Sequence, residues 1–155
     1  ILVANLYEWI VHKYVLHELG KTHGSTWSSH WSVHHSKVRK NDYFDADYLN
    51  VMGGGLNEGK KELIGLLFLL LINAPIMIVA PWCFYTMVVM GVAYFLVHRQ
   101  SHLNPAWGKR WVPWHYDHHM GPNQNMNFGV RSDLIDKLLN TRLKYYGKSR
   151  NNSNN

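Results

Sequence analysis

Ten of the eleven histidines in this chain fall into four compact boxes. They are His12 and His17 in HKYVLH, His30, His34 and His35 in HWSVHH, His98 and His102 in HRQSH, and His115, His118 and His119 in HYDHH. Only His23 stands apart. Neutral imidazole is the commonest metal ligand among side chains and suits iron, copper, nickel and zinc. A single zinc site takes about four protein ligands at most. Ten clustered histidines exceed what one ion can use, so the boxes suggest two metals sharing a cage.

The spacings fit that reading. Residues four apart on an α-helix lie about 40° apart around its axis and can grip one ion together. His30/His34, His98/His102 and His115/His119 have that spacing. The second member of each adjacent pair, His34–His35 and His118–His119, turns about 100° further round. An H-x-x-x-H-H box can therefore offer two ligands to one metal and one to its neighbour. His12 and His17 would stand about 140° apart on an ideal helix, which suits a bridging arrangement or a distorted helix end. Ideal-helix spacing leaves open which ligand serves which metal.

The second constraint is a span without charge. Leu63–Val97 contains no Asp, Glu, Lys, Arg or His. It is longer than one membrane crossing, which takes about 20 apolar residues. Asn73, Pro75 and Pro81 divide it into two pieces, and each piece would reach about 25 Å as a helix. This reads as a helical hairpin that enters and leaves on the same side. The basic residues lie outside it, among them Lys60, Lys61, Arg99, Lys109, Arg110, Arg142, Lys144, Lys148 and Arg150. By the positive-inside rule, the histidine boxes and the C-terminus belong on the cytoplasmic face. The net charge of +6 then reads as attraction to anionic headgroups. No nucleic-acid motif accompanies the basic residues, so no nucleic-acid partner is expected. Cys83 is the lone cysteine and sits in the apolar span, offering neither a disulfide nor a thiolate site.

The expected fold is all-α. Integral-membrane helices, namely an N-terminal helix plus the hydrophobic hairpin, carry a cytosolic helical cap with the dimetal site. Residues 1–150 form one domain and 151–155 a disordered tail. The chain opens ILVANLYEW, already inside an apolar run, as if an N-terminal stretch were missing. Residues 1–19 read as a membrane helix running into the first box, broken by Gly20 and Gly24. Ser25 N-caps a short helix over 25–40, Asn41–Gly59 is a loop, Asn104–Pro113 a turn-rich connector, and Ser132–Leu139 a last helix. Glu18, Arg99, Asp117 and Asn127 are candidates to hydrogen-bond the outer imidazole nitrogens. His23 reads as a surface residue or an outer partner of the site rather than a ligand. Trp111, Trp114 and Tyr116 read as anchors at the membrane interface.

The ordered set of boxes resembles the fatty acid hydroxylase/sterol desaturase superfamily, integral-membrane non-haem di-iron enzymes. Its pattern runs H-x3-4-H, H-x2-3-H-H, a membrane hairpin, H-x3-H and H-x2-3-H-H, and the segment NFGVRSDLIDKLLNTR resembles the superfamily's ending. The likeness covers about residues 5 to 142. It implies two iron ions held by the ten box histidines, with zinc or another divalent metal able to occupy them in a purified sample. It also implies O2-dependent hydroxylation of an unactivated C–H bond in a membrane lipid, foremost a fatty-acyl chain. Carotenoid hydroxylation or lipid desaturation on the same core is the alternative, and a non-catalytic metal-binding membrane subunit the alternative of another class. A histidine-rich transporter would need more membrane crossings than the sequence shows. No haem domain is fused to the chain, so the implied partners are the lipid, O2 and a separate electron donor, a haem or iron–sulfur carrier with its reductase. Phe68, Phe84, Tyr85, Met87 and Phe95 are candidates to line the path by which a lipid reaches the metals.

Overall fold

The computed structural model describes residues 1–146; the tail at 151–155, like Lys148 and Arg150, lies outside the described residues. Among these the chain is helical throughout, without a strand. Helix α1 (Leu2–Ile10) continues without a break into a π-helical stretch, Val11–Leu19. A second π-helical turn, His30–His34, runs into α2 (His35–Lys40). Ser25 does not cap this helix: its hydroxyl accepts from the Trp27 N–H and closes a turn before the helix begins.

The charge-free span folds as a hairpin of α3 (Glu58–Ile72) and α5 (Pro81–Leu103), with the short α4 (Ile76–Val79) at its tip. Asn57 caps α3 by accepting from the Lys60 N–H, and Pro81 opens α5 at a position where a missing N–H costs nothing. Helix α5 is long and apolar enough to cross a membrane, and only 11% of its apolar window is buried. The exposed residues follow helical spacing: Trp82, Tyr85, Val89, Val92 and Leu96 on α5, and Ile64, Leu67, Phe68 and Leu71 on α3. Contiguous apolar stripes of this kind match hydrocarbon rather than water.

The stretch expected to be a connector holds α6 (Pro105–Trp111) instead. Asn104 accepts from the Trp107 N–H and Pro105 takes the first helical position, so the proline starts this helix rather than breaking it. Helices α7 (Pro113–Met120) and α8 (Leu134–Leu138) complete the chain. Trp114 and Tyr116 turn inward rather than toward an interface. Trp114 donates to the Val130 carbonyl, and Tyr116 packs with Val38 and Tyr43. Trp111 stays exposed.

The polarity of the molecule is inverted. Nine of the twelve largest fully buried side chains are histidines, so the centre is polar while the hairpin's outer surface is apolar. Two acidic residues knit the ends of the chain around that centre. Glu8 on α1 accepts from the Val130 and Arg131 N–H groups and from the Arg131 guanidinium. Asp136 on α8 accepts from Trp9, Thr141 and the Phe128 and Gly129 N–H groups, at 2.7–3.1 Å. Asp136→Ala strands these donors in a buried site and should cost about 3 kcal/mol of stability. Thr141→Ala removes one donor and should cost about 1 kcal/mol. Thermal unfolding in detergent checks the order; equal midpoints for the two variants would contradict it.

Candidate metal centre

The ten box histidines converge into two facing groups. His12, His17, His30, His35 and His118 bring one ring nitrogen each within 4.8 Å of all the others. His34, His98, His102 and His119 do the same in a second group. His115 joins the second group through its Nε2, 3.2 Å from that of His102. The groups share a wall: the His35 and His119 rings lie 4.4 Å apart.

Backbone geometry decides which histidine goes where. In a π-helix hydrogen bonds close from i to i+5, which brings the fifth residue on round toward the first. Gly20 donates to the Val15 carbonyl and His35 to the His30 carbonyl in this pattern. His12 and His17 therefore reach one group despite a spacing that would splay them on an α-helix. His30 shares a group with His35, not with His34 as α-helical spacing predicts, and His34 turns to the other group. On the α-helical α5 and α7 the i, i+4 rule holds, pairing His98 with His102 and His115 with His119. Each three-histidine box gives two ligands to one group and one to the other.

Proton positions test whether this cage suits cations. A backbone carbonyl can only accept, so an Nδ1 bonded to one must carry the proton and leave Nε2 as a bare lone pair. His12 Nδ1 donates to the Phe128 carbonyl (2.6 Å), His118 to Met126 (2.7 Å) and His102 to Tyr43 (3.0 Å). Side-chain carboxyl oxygens play the same part for His34, at 3.2 Å from Asp45 Oδ2, and for His98, at 2.7 Å from Glu62 Oε2. The Nε2 lone pairs of His98 and His102 then face each other at 3.2 Å. Two lone pairs at that distance repel and make no hydrogen bond; a cation between them converts repulsion into ligation. His34 Nε2 and His119 Nε2 are buried without a hydrogen-bond partner, as ligand atoms would be. The donor set fits two imidazole-bound ions.

Burial sets the charge state. It pushes His30, His35, His115, His118 and His119 well below the usual histidine range, and neighbouring imidazoles push further. These rings are neutral, hence ligand-ready, at neutral pH. Asp45 behaves oppositely. Burial alone would raise it, but His34, the Asp47 N–H and Lys37 more than offset this and hold it below the ordinary carboxylate range. It therefore remains an acceptor for His34.

The groups behind the imidazoles differ in part from those expected. Glu18 is exposed and pairs with Lys21 at 3.5 Å, away from every imidazole. Arg99 donates to the Tyr48 carbonyl and braces that turn without touching a histidine. Asp117 is buried but accepts from Arg142 and the Tyr146 N–H. Asn127 sits at φ 62°, a conformation asparagine tolerates, between the residues whose carbonyls hold His118 and His12. Its amide ties that loop to Leu143. His23 is exposed, outside both groups.

Tyr43, Asp45, Tyr48, Glu62, Met126 and Phe128 do the direct anchoring, and sequence reasoning missed them. Tyr43 is held at φ 76°, and its ring fits because Gly108 has no Cβ, which would sit 2.6 Å from it. Tyr48 reaches both His98 and Glu62 through its hydroxyl. The available signals were NDYFDADY, dense in Asp and Tyr beside a box, and Glu62, the last charge before the apolar span.

A cavity of about 740 Å³ leads to the cluster between α1, α3 and α5. His12, His30, His34, Tyr48 and Glu62 form its polar end; Leu69, Leu70, Met87 and Ala4 line its apolar reach. Of the expected path residues, Phe68 and Met87 line it, whereas Phe84, Tyr85 and Phe95 lie off it.

The sequence pattern of the fatty acid hydroxylase family matches residues 1–141. The chain belongs to the fatty acid hydroxylase family. No curated protein and no solved structure matches it. Membership in this family, which is membrane-associated and hydroxylase-like, agrees with the apolar helix α5 and the two histidine groups.

A pH dependence of stability follows for the metal-free chain. Folded His30, His35, His115, His118 and His119 resist protonation, while the same residues in the unfolded chain titrate near 6.5. Below that pH the unfolded state takes up protons that the folded state refuses, so stability falls with acidification and is level above it. Each such imidazole contributes a loss of up to about 1.4 kcal/mol per pH unit. Denaturation of the metal-free protein at pH 8 and pH 5 checks this; equal midpoints would contradict it.

Proposed function

We propose that this chain is a membrane-bound di-iron hydroxylase that oxidises an unactivated C–H bond of a lipid, foremost a fatty-acyl chain. The observation that carries the reading is the meeting of two buried all-histidine groups with the polar end of a long apolar cavity. Two irons bound by His12, His17, His30, His35 and His118 on one side, and His34, His98, His102, His115 and His119 on the other, would supply the reductive cleavage of O2. One oxygen atom enters the C–H bond and the other leaves as water, with two electrons and two protons taken up.

The chain's own residues perform the remaining work. Neutral imidazoles leave the metal charge uncompensated, unlike the Glu-rich cages of soluble di-iron bundles, which favours an electrophilic oxidant. Asp45, Glu62 and the carbonyls of Tyr43, Met126 and Phe128 fix the tautomers that present Nε2 inward. Tyr48 and Glu62 both touch His98 and line the cavity, so they join the ligand shell to the space for substrate. Burial of the cluster keeps bulk water from it. The cavity's apolar walls accept a hydrocarbon chain and hold one of its carbons beside His12, His30 and His34. The basic residues flanking the hairpin favour the cytoplasmic face for the metal centre.

The test combines metal analysis with lipid mass spectrometry on one preparation. Wild type should hold about two irons per chain, and expressing cells should gain lipids enlarged by one oxygen atom. His34→Ala and His119→Ala should each lower bound metal and abolish product; unchanged metal content in both would sink the ligand assignment. Asp45→Asn keeps the shape but loses the anionic acceptor, and should cost about 10- to 100-fold in metal affinity or activity. Products lacking two hydrogens would mean desaturation, oxidised carotenoids a different substrate, and metal without O2 consumption a non-catalytic subunit.

A further inference from the structure

The hydroxylase reading needs two electrons from outside the chain, and resting on that reading we infer that the face made by α2, α7 and residues 142–146 docks an acidic, soluble one-electron carrier. The cavity reaches the cluster through His12, His30 and His34. None of α2, α6, α7 or residues 142–146 lines it. These elements instead cover the histidines on the other flank, so electrons and lipid approach from different sides.

The contact into the centre is direct. Arg39, exposed on α2, donates from Nη1 to the carbonyls of His119 (3.1 Å) and Gly121 (2.9 Å). One hydrogen bond thus links the surface to the backbone of a residue in the second histidine group. Lys40 follows Arg39 on α2, Lys109 reaches the same face through Tyr116, and Lys144 adjoins Tyr145 and Tyr146. Among the described residues no carboxylate pairs with Lys40, Lys109 or Lys144. The neighbouring acids Asp117 and Asp133 are engaged by Arg142, which leaves Asp42 as the opposing charge. Lys109 lies 5.0 Å from the Tyr116 ring, which meets Tyr146 at 5.5 Å. Tyr145 and Tyr146 are 43% and 52% exposed. Exposed tyrosines ringed by cations have the composition of a protein-binding surface, with charge that steers an acidic partner.

Position favours a protein over lipid headgroups. The exposed apolar stripe of α5 ends at Leu96, and the helix rises about 10 Å further before α6 begins at Pro105. The start of α6, which carries Lys109, therefore stands beyond the end of the apolar stripe.

Binding tests this independently of turnover. The full chain in phosphatidylcholine nanodiscs is titrated with two oxidised probes, an acidic plant-type [2Fe–2S] ferredoxin and the acidic soluble domain of a b-type cytochrome. At least one should bind at about 50 mM salt and weaken at least tenfold by about 300 mM, as a steered interface does. The double variant K40E/K144E, which leaves the Arg39 contacts in place, should weaken it at least tenfold at low salt. Its turnover with a small neutral quinol should match wild type. No binding of either probe, or equal affinity in wild type and the double variant, overturns the proposal. So does binding abolished in wild type by phosphatidylserine, which assigns the face to headgroups. Intact binding without oxygenated product counts against the hydroxylase reading and leaves the docking surface standing.

Discussion

Neutral imidazoles crowded around common points are the constraint on which everything else depends. The Nδ1 atoms of His12, His98, His102 and His118 are committed to carbonyl or carboxyl oxygens, so four Nε2 lone pairs point inward without protons. A hydrogen bond cannot reconcile the facing lone pairs of His98 and His102 at 3.2 Å, and burial removes the water that could. Positive charge inside the cage would make the packing favourable, so the core of this molecule is suited to hold cations rather than built as an apolar cluster. The small apolar cores, Trp9–Phe128–Ile135 and Val38–Tyr43–Tyr116, are grouped beside it and hold the segments that supply its acceptors.

Local backbone form is subordinate to that demand. Two π-helical stretches occur among the described residues; the first carries His12 and His17, and the second runs from His30 to its cap at His35. A π-helix is a costly form that persists where packing or function over-determines it. Here it aligns His12 with His17 and His30 with His35, and frees His34 for the second group. The four boxes also come from well-separated parts of the chain, so closure needs both ends tied down. Glu8 and Asp136 do this, joining α1 to the loop that carries the Phe128 carbonyl.

The sequence made much of this legible because the informative residues are rare types in strict spacing. Histidine boxes, a charge-free span and helix-starting prolines can be read without a fold. What stayed hidden depends on backbone atoms or on long-range contact. The carbonyls of Tyr43, Met126 and Phe128 belong to no residue type, and nothing in HWSVHH announces a π-helix. Glu62 reaches His98 across 36 positions, and Glu18, nearer in sequence to a histidine, turns to solvent. Proximity along the chain was the wrong guide to what stands behind a ligand. Asn104–Pro113 failed for a different reason, since Pro after Asn starts a helix as readily as it breaks one.

The two histidine groups are not equivalent, and the difference lies in what backs them. The second group has side-chain carboxyl groups behind it, the Asp45 carboxylate behind His34 and the Glu62 carboxyl behind His98, with the Tyr48 hydroxyl touching both Glu62 and His98. The first has neutral carbonyls, Phe128 behind His12 and Met126 behind His118. A carboxylate accepting from Nδ1 makes Nε2 more basic than a carbonyl does, so it stabilises a higher charge on whatever Nε2 binds. The cavity touches both groups, through His12 and His30 of the first and His34 of the second. On the proposed reading, a carbon held there would lie between two metal positions of unequal electron demand, and the inequality would rest on residues, Asp45 foremost, that ligate nothing themselves.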